Sequence, residues 1–509
     1  MLRKIIQFMV HSSWFRAKEL FLCGLCAALL IFSFPRFNIC FFSWFAFVPL
    51  FFATRDKSSR IAFLLFYFTG ILFWFGIIYW LVHVTLAGLI VLVLYLALYF
   101  GIFGLGVSTI NHQPSTINHL FIPSLWVLLE YIRSHLFTGF PWALLGYAQY
   151  LNLPIIQIAD ITGAWGVSFL VMMVNVAIYI AVSGKLSAIS KKQKYLLPIL
   201  ALFVTLTYGY FKIYSLKLKM LSNLPLKISV IQGNIPQELK WDIRAEDFIM
   251  GRYLGLTSEA AKDKLDLIIW PEAALPSVLE EEPVFFENVK RFVKEINIPL
   301  LLGALTSRNN LYYNSTLLIS GDGKLLNRYD KLHLVPFGEY IPLRKILGFL
   351  ETVVPIGDFS PGKEYTVFSI PTKFSVLICF EDLFPQISRE FTKKGANFLV
   401  NITNDAWFGK TSSPYQHLQA SVFRAVENRL CLVRAANTGV SGFIGPAGKI
   451  ISLVQDKSGR NIFVSGYKTQ EIFIARCPLS FYTRFGDVFI VICLVFILYG
   501  IMQLLKKSV

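Results

Sequence analysis

A cysteine placed directly after a short apolar run is the residue of this chain best suited to act as a nucleophile. Residues 374–378 favour a β-strand, Cys379 follows at once, and the acidic pair Glu381 and Asp382 opens a segment typical of a helix. A thiol in such a turn can lie at a sheet edge near the positive end of a helix, where thiolate is favoured. Because lone cysteines are mostly buried as small hydrophobic residues, this stretch alone does not establish a nucleophile.

Two other predicted strand ends carry ionisable residues. Glu272 follows the apolar run in IIWPEAALP, whereas Lys331 and Glu339 lie in RYDKLHLVPFGEYIP. Taken singly, Glu272 fits a helix start and Lys331 fits a surface ion pair. Together with Cys379 they supply what thiol acyl transfer needs. Glu272 can accept the thiol proton, and Lys331 can stabilise the thiolate and the oxyanion, helped by the main-chain N–H of Phe380.

The elements that must position these residues lie in a segment where charged residues are frequent and short apolar runs recur. Strands alternating with helical patterns predict a layered α/β domain, whose site lies at the carboxyl ends of its strands. The strand-like runs are 226–234, 264–272, 298–306, 312–320, 373–381, 397–405, 430–439 and 441–448, and the helical patterns between several of them include 245–264 and 285–297.

The rest of the chain is too apolar for a soluble protein. Of its 509 residues, 55% are hydrophobic and 16% aromatic, which indicates a membrane protein. About eight segments are long enough to cross a bilayer: 20–35, 38–54, 60–82, 84–108, 117–133, 162–183, 195–213 and 486–505. An uncleaved first span is preferred to a signal peptide because no small-residue cleavage site follows it.

Charge sets the expected orientation. The formal net charge is +17, yet no Lys/Arg tract with interleaved aromatics suggests a nucleic-acid surface. Basic residues cluster at the amino terminus, in loops 55–60 and 185–194, and in the tail, so these parts and both termini are predicted to be cytoplasmic. We therefore predict a helical membrane region at 1–221, a catalytic domain outside the cytoplasm at 222–483, and a final span with its tail at 484–509. The aromatic loop 137–166 fits either an interfacial belt or a substrate contact.

Several of these motifs resemble a known family. WPE at 270–272, YDKLHLVPFGEYIP at 329–342 and CFE at 379–381 resemble the Glu, Lys and Cys motifs of the nitrilase, or carbon-nitrogen hydrolase, superfamily. With the predicted spans, the whole chain resembles the bacterial apolipoprotein N-acyltransferase family. GFPWALLGYAQ at 139–149, QGNIPQELKW at 232–241 and NITNDAWFG at 401–409 extend the resemblance. The chain departs from it at Phe380, where a tyrosine is expected.

The resemblance implies a nitrilase-like αββα sandwich on a membrane base of about eight helices, and a ping-pong acyltransferase. It assigns Cys379 as nucleophile, Glu272 as general base and Lys331 as stabiliser of the oxyanion and thiolate. It also assigns supporting roles to Glu339, Glu381, Phe380 and Trp241.

The implied substrates are both lipids. The donor is a phospholipid, typically phosphatidylethanolamine, and the acceptor is the amino group of a diacylglyceryl-cysteine apolipoprotein. The implied location is the bacterial inner membrane with a periplasmic catalytic domain. No cofactor, metal or nucleic acid is implied, and a monomer is expected. Aromatic residues near the polar groups could exclude water from a thioester: Phe337, Phe380, Trp407 and Phe408.

Two other readings are compatible with parts of the sequence. A membrane-tethered amidase would use the same triad with water as second nucleophile, and a transporter or scaffold would have lost the activity of its outer domain. The nearly uncharged spans, in which Glu130 stands out, argue against a transporter. Among the remaining polar residues, a substrate path is one possible role for Asn404, Asp405 and His417, and structural ion pairs are the preferred role for Arg424, Glu427, Arg429 and Arg434.

Overall fold

The computed structural model describes residues 17–111, 118–183, 193–220, 225–341, 358–474 and 477–508. The chain separates into two compact units, one formed by Met1–Phe211 with Asp487–Val509 and the other by Lys212–Gly486. The first unit is helical and the second is α/β. Arg3, Lys4 and Arg16 of the amino terminus, and Lys185, Lys191 and Lys192 of the predicted loop, lie outside the described residues.

Helices in the first unit follow the apolar segments of the sequence. They are α1 Ala17–Ser33, α2 Val48–Ala53, α3 Ser59–Ile78, α4 Leu86–Asn111, α5 Asn118–His135, α6 Leu153–Ile156, α7 Ala159–Thr162, α8 Ala164–Ser183, α9 Gln193–Met220, which continues into the second unit, and α15 Val488–Ser508. Short 3₁₀ turns occupy Cys40–Trp44, Tyr79–His83 and Leu145–Gln149.

Four described stretches are long and apolar enough to cross a membrane by length and composition: Ser59–His83, Leu86–Ser108, Ala164–Ser183 and Tyr195–Leu218. The predicted span 38–54 is not a continuous helix, because the 3₁₀ turn Cys40–Trp44 and the short α2 divide it. The amide side chain of Asn175 holds this broken segment in place. It accepts from the Phe47 N–H at 2.8 Å and donates to the Ser43 carbonyl at 2.8 Å.

Small residues let α3 and α4 pack closely. A Cβ added at Gly70 would lie 2.9 Å from the Phe100 side chain, and one added at Gly104 would lie 2.7 Å from the ring of Phe66. In a lipid environment apolar side chains gain little by leaving lipid for protein, so close packing of this kind is a main source of helix association.

The middle of the aromatic loop, residues 141–150, packs inside the helical unit. Trp142 and Tyr147 are buried, so the interpretation of these two residues as an interfacial belt is wrong. Two ionisable residues of α5 anchor the loop. The Glu130 carboxylate accepts from the Leu145 N–H at 2.7 Å, and Arg133 donates to the Trp142 carbonyl at 2.9 Å. Structural contacts therefore account for the charge that stands out in this span.

The second unit contains two six-stranded sheets and their covering helices. The strands are β1 Pro225–Gln232, β2 Leu267–Ile269, β3 Leu300–Arg308, β4 Leu311–Ile319, β5 Leu325–Asp330, β6 Phe368–Ser369, β7 Lys373–Ile378, β8 Phe398–Thr403, β9 Cys431–Ala436, β10 Gly442–Ile444, β11 Ile450–Leu453 and β12 Gly466–Phe473. The helices are α10 Glu246–Ala260, α11 Pro283–Ile296, α12 Pro385–Lys393, α13 Ser413–Asn428 and α14 Phe481–Phe485.

The sheets have the orders β12-β1-β2-β3-β4-β5 and β11-β10-β9-β8-β7-β6. Strands β1, β2 and β3 run parallel to one another, as do β7, β8 and β9. Strands β8 and β9 are fully buried, as parallel strands covered on both faces should be. Helices α10 and α11 pack on the first sheet, α12 and α13 contact the second, and β1 contacts β9 across the sheets. These layers form the predicted αββα sandwich.

All eight strand-like runs of the sequence form strands, and both helical patterns form helices. The strand-like runs did not include β5, β6, β11 or β12. Strand β12 has the polar sequence GYKTQEIF and lies at an antiparallel edge, where half-exposed strands lack a continuous apolar run.

Candidate active site

The nucleophile candidate occupies a strained turn. Strand β7 ends at Ile378, Cys379 has a φ of +53°, and a 3₁₀ turn continues through Leu383. A positive φ is uncommon for a residue with a side chain and costs free energy, so the surrounding structure must hold it. The turn points the residue after the strand out of the regular sheet pattern. The predicted α-helix begins only at Pro385, and Cys379 is therefore not at its first turn.

The thiol is buried, with 9% of the residue exposed. The hydroxyl of Thr403, at the end of β8, donates to Sγ at 3.5 Å. Burial and the charge of Glu272 raise the pKa of Cys379 well above its ordinary value, against the opposing charge of Lys331 and the Thr403 bond. The expectation that thiolate is favoured at rest is therefore wrong. The thiol is the resting form, so it needs a base to take its proton.

Glu272 supplies a buried carboxylate after β2. Its Oε1 accepts from Asn314 Nδ2 at 2.7 Å, and Lys331 Nζ lies 4.0 Å from the same oxygen. Ala273 follows with a φ of +44°, so the chain turns sharply here as it does at Cys379. A carboxylate held by one amide keeps a second oxygen with which it can accept a proton.

Lys331 follows β5 and is 1% exposed. Its Nζ lies 2.9 Å from Oε1 and 2.8 Å from Oε2 of Glu339, which makes a two-oxygen ion pair. Burial would lower the pKa of Lys331, but the charges of Glu339, Cys379 and Glu272 outweigh it and hold the pKa above its ordinary value. Lys331 therefore stays a cation, as stabilisation of a developing oxyanion requires.

Asn314 joins the two carboxylates, and the sequence analysis missed it. Its Nδ2 donates to Glu272 at 2.7 Å and to Glu339 at 2.9 Å. The residue is buried in β4, inside the run YYNSTLLIS. An amide among strand residues predicted to be buried is the signal that could have identified it, because a buried polar side chain needs partners.

Glu381 connects the cysteine turn to the lysine turn. Its carboxylate accepts from the N–H groups of Ile378 at 2.7 Å, Leu332 at 2.6 Å and His333 at 3.1 Å, and from the Tyr329 hydroxyl at 2.9 Å. Burial raises its pKa to about 7, although these donors and the charge of Lys331 lower it. These contacts predict that Glu381 supports the site by holding both turns in position and does not contact a substrate.

The aromatic residues divide into two groups. Phe380 is half-buried, and its ring stacks on Phe408 with centroids 5.8 Å apart. In contrast, Trp241 is 47% exposed, Phe337 45% and Trp407 52%. The exposed rings do not shield the site in this state. Trp241 follows Lys240, a second missed residue, whose Nζ donates to the Glu272 carbonyl at 3.1 Å.

A buried charge cluster lies behind Cys379. His417 Nε2 is 2.8 Å from Asp382 and its Nδ1 is 3.1 Å from Asp405, while Arg434 contacts both aspartates at 3.2 and 3.3 Å. Positive charge and hydrogen bonds from His417 and Arg434 more than offset burial and lower the pKa of both aspartates. Because all four side chains are fully buried, they form an internal support and not the wall of a path for substrate.

The other polar candidates also have structural partners. Arg424 donates to Glu427 at 2.7 Å, and both are fully buried. Asn404 donates to Gln237 at 2.9 Å and accepts from Asn437 at 3.0 Å. Over the described residues no group of three or more His, Cys, Asp or Glu side chains is arranged to hold a metal ion. The chemistry that this site can perform is acyl transfer through a thiol with a nearby base and a fixed cation.

Comparison with known proteins covers both units of the chain. Residues 26–177 match the family described as apolipoprotein N-acyltransferase N-terminal domain, and residues 227–480 match the carbon-nitrogen hydrolase family. The apolipoprotein N-acyltransferase of Geobacter metallireducens is 39% identical over 497 residues, covering 94% of this chain and 93% of that protein. That of Rhodopseudomonas palustris is 32% identical and covers 76% of this chain and 75% of that protein.

Among solved structures, an amidase from Nesterenkonia of the nitrilase superfamily is 19% identical. The match covers 51% of this chain and 93% of the amidase, with a TM-score of 0.39.

Proposed function

The chain belongs to the apolipoprotein N-acyltransferase family, and from this membership we propose that Cys379, Glu272 and Lys331 carry out its acyl transfer. The protein is a membrane acyltransferase that N-acylates lipoproteins. The observation that carries the proposed roles is a buried cluster in which Asn314 and Lys331 link Glu272 to Glu339, while the charges of Glu272 and Lys331 act on the Cys379 thiol.

The first half-reaction forms a thioester. Glu272 takes the proton of the Cys379 thiol, and the sulfur attacks an ester carbonyl of a phospholipid, with phosphatidylethanolamine as the expected donor. Lys331 stabilises the tetrahedral oxyanion. When the carbon–oxygen bond to glycerol breaks, Glu272 returns its proton to the leaving alkoxide. The products are the acyl-thioester and a lysophospholipid.

The second half-reaction forms the amide. The neutral α-amino group of a diacylglyceryl-cysteine attacks the thioester carbonyl, and Glu272 accepts a proton from the nitrogen. Collapse of the oxyanion breaks the carbon–sulfur bond, and the proton held by Glu272 returns to the Cys379 sulfur. A triacylated lipoprotein leaves and the resting thiol is restored.

Four further residues support the three reacting side chains. Glu339 holds Lys331 through a two-oxygen ion pair, and Glu381 holds the turns that carry Lys331 and Cys379. Phe380 keeps an aromatic ring beside the nucleophile where the family's usual tyrosine would place one. Trp241, exposed next to Lys240, is suited to contact a substrate acyl chain.

We further propose that residues 222–483 are the catalytic domain on the periplasmic side of the bacterial inner membrane. In this arrangement residues 1–221 and 484–509 supply about eight spans, both termini are cytoplasmic, and the enzyme works as a monomer. Both substrates carry acyl chains, and each CH₂ group costs roughly 0.8 kcal/mol to expose to water. A membrane base therefore lets both substrates reach the site from the bilayer.

The proposed mechanism is tested by intact-protein mass spectrometry after incubation with phospholipid and no acceptor. Wild-type protein should gain the mass of one fatty-acyl group, whereas Cys379→Ala should gain none. A Cys431→Ala variant is the matched control, because this cysteine is also buried in the α/β unit, in β9, and its replacement should leave acylation unchanged. Acylation of the Cys379→Ala protein would refute the nucleophile. If small amides were hydrolysed while no acyl group was taken from phospholipid, a tethered amidase would be the better description.

A further inference from the structure

A second lysine lies in the candidate site, and the proposed mechanism does not use it. Lys240 follows the 3₁₀ turn Gln237–Leu239 and is 5% exposed. Its Nζ donates to the main-chain carbonyl of Glu272 at 3.1 Å. An ammonium group has three donors, and within the described part of the chain this is the one hydrogen bond that the group makes.

The two lysines of the site differ in their ion pairing. Lys331 lies 2.8 Å from a Glu339 oxygen, so a carboxylate in direct contact balances its charge. Lys240 makes no salt bridge with any described residue, yet its charge acts on Glu272 and Cys379. A buried cation without a direct counter-ion exerts its field over a longer distance than a paired one, because less of the field is cancelled.

We propose that Lys240 is a positioning residue of the acyl-transfer reaction, which holds the Glu272 turn through its carbonyl and favours the ionised form of Cys379 with its charge. The proposal rests on the assignment of Cys379 as nucleophile. When Glu272 takes the thiol proton, negative charge moves from the carboxylate to the sulfur, and both positions lie in the field of Lys240. The charge therefore lowers the free energy of the thiolate that attacks the substrate.

Burial lowers the pKa of Lys240 to about 8, although Glu272 and Cys379 raise it. The lysine is thus charged at neutral pH and loses its charge as pH rises above about 8. Glu272 and Cys379 are the charged or titratable groups that act on Lys240. Lys331 and Asp405 also act on Cys379, and Glu339 acts on Lys331. Mutation of Lys240 is therefore needed to separate the effect of its titration from the titration of these other groups.

The test measures how fast iodoacetamide alkylates Cys379 in the purified full-length protein as a function of pH, with peptide mass spectrometry to distinguish the other cysteines. Lys240→Met should slow alkylation of Cys379 about tenfold near neutral pH, and the difference from wild type should shrink as pH rises above about 8, where wild-type Lys240 loses its charge. Lys240→Arg keeps the charge and should restore most of the rate. Lys262→Met removes an exposed lysine of the same unit and should match wild type.

An unchanged profile in Lys240→Met would overturn the proposal, as would an arginine variant no better than the methionine variant. Melting temperatures separate this role from a purely structural one. Because burial disfavours the charged lysine, Lys240→Met should not lower the melting temperature, and a large loss of stability with unchanged alkylation would assign the residue to folding alone. If wild type forms no thioester with phospholipid but Lys240→Met still slows the alkylation of Cys379, the acyl-transfer mechanism fails and the role of Lys240 stands.

Discussion

At the residue scale, the site depends on two carboxylates held together in a buried place where they would otherwise repel each other. Glu272 and Glu339 both accept from Asn314 Nδ2, and Lys331 lies between them at 4.0 Å from one and 2.8 Å from the other. One cation and one amide thus offset two negative charges. Lys331 is in direct contact with Glu339, whereas it lies farther from Glu272.

Replacing Asn314 should disable the site without removing any group that reacts. Asn314→Leu keeps the approximate size of the side chain but deletes two hydrogen bonds to charged groups, each contributing roughly 1.5–3 kcal/mol. We expect the rate of thioester formation to fall about a hundredfold or more, measured by the time course of Cys379 acylation. Asn327→Leu, on the exposed part of β5, is the control. A rate within a factor of about two of wild type would show that the bridge is dispensable.

At the element scale, the geometry of the candidate site depends on two turns, one after β7 and one after β5. Neither strand by itself sets the conformation of the turn that follows it. Cys379 has a positive φ, and Lys331 stands at the end of β5 in the other sheet. Glu381 links the two turns, because its carboxylate accepts hydrogen bonds from main-chain N–H groups of both. Asp405, behind Cys379, adds support through Thr403, whose hydroxyl lies 3.5 Å from Sγ and 3.4 Å from Asp405.

The pKa of Glu381 predicts how stability depends on pH. Its folded-state pKa of about 7 lies above the ordinary value of 4.5, so the folded protein binds this proton more tightly than the unfolded chain does. The stabilisation is fully present below about pH 4.5 and is lost as pH rises through about 7. In Glu381→Gln the side chain is neutral throughout, so this loss disappears.

Melting temperatures of full-length wild type and Glu381→Gln, measured in detergent from about pH 5 to pH 7.5, should therefore converge or cross as pH rises. The amide retains one oxygen for at least four donors, so the variant should start less stable at low pH and also lose acyl transfer. Parallel pH profiles for the two proteins would contradict the raised pKa.

At the scale of the whole molecule, the helical unit exposes apolar side chains that water would not tolerate. On α9 the exposed fractions are 63% for Leu196, 62% for Ile199, 65% for Phe203 and 67% for Phe211. One face of a helix with this many exposed large apolar residues is typical of contact with lipid. The four helices that meet the length and composition for spanning agree with a membrane protein, and the number of spans remains a prediction.

The proposed orientation predicts different labelling of two engineered cysteines. Lys262→Cys lies in α/β unit 212–486 and should react with a membrane-impermeant thiol reagent in intact spheroplasts. Ser58→Cys is exposed just before α3, in a basic loop predicted to be cytoplasmic, and should react only after permeabilisation. The background is a chain whose other accessible cysteines are replaced. Equal labelling of both positions before permeabilisation would exclude the proposed topology, and labelling of Ser58→Cys alone would reverse it.

The sequence by itself determined the class of the protein and predicted the residues to which we assign its chemistry. Apolar composition indicated the membrane, strand-like runs indicated the α/β domain, and the WPE, DKLH and CFE motifs picked out Glu272, Lys331 and Cys379. These features are readable because burial imposes periodic apolar patterns and because reactive side chains follow the ends of buried strands.

Only the tertiary structure decided the contacts that make the site work. Asn314, Thr403 and Lys240 come from separate elements. Thr403 and Lys240 lie within motifs that resemble the family, but the contacts of all three residues in the site depend on how those elements pack. The protonation of the thiol was also decided there. It depends on burial and on charges brought in from Glu272 and Lys331, and the distance between such groups is set by the packing of two sheets and not by spacing along the chain.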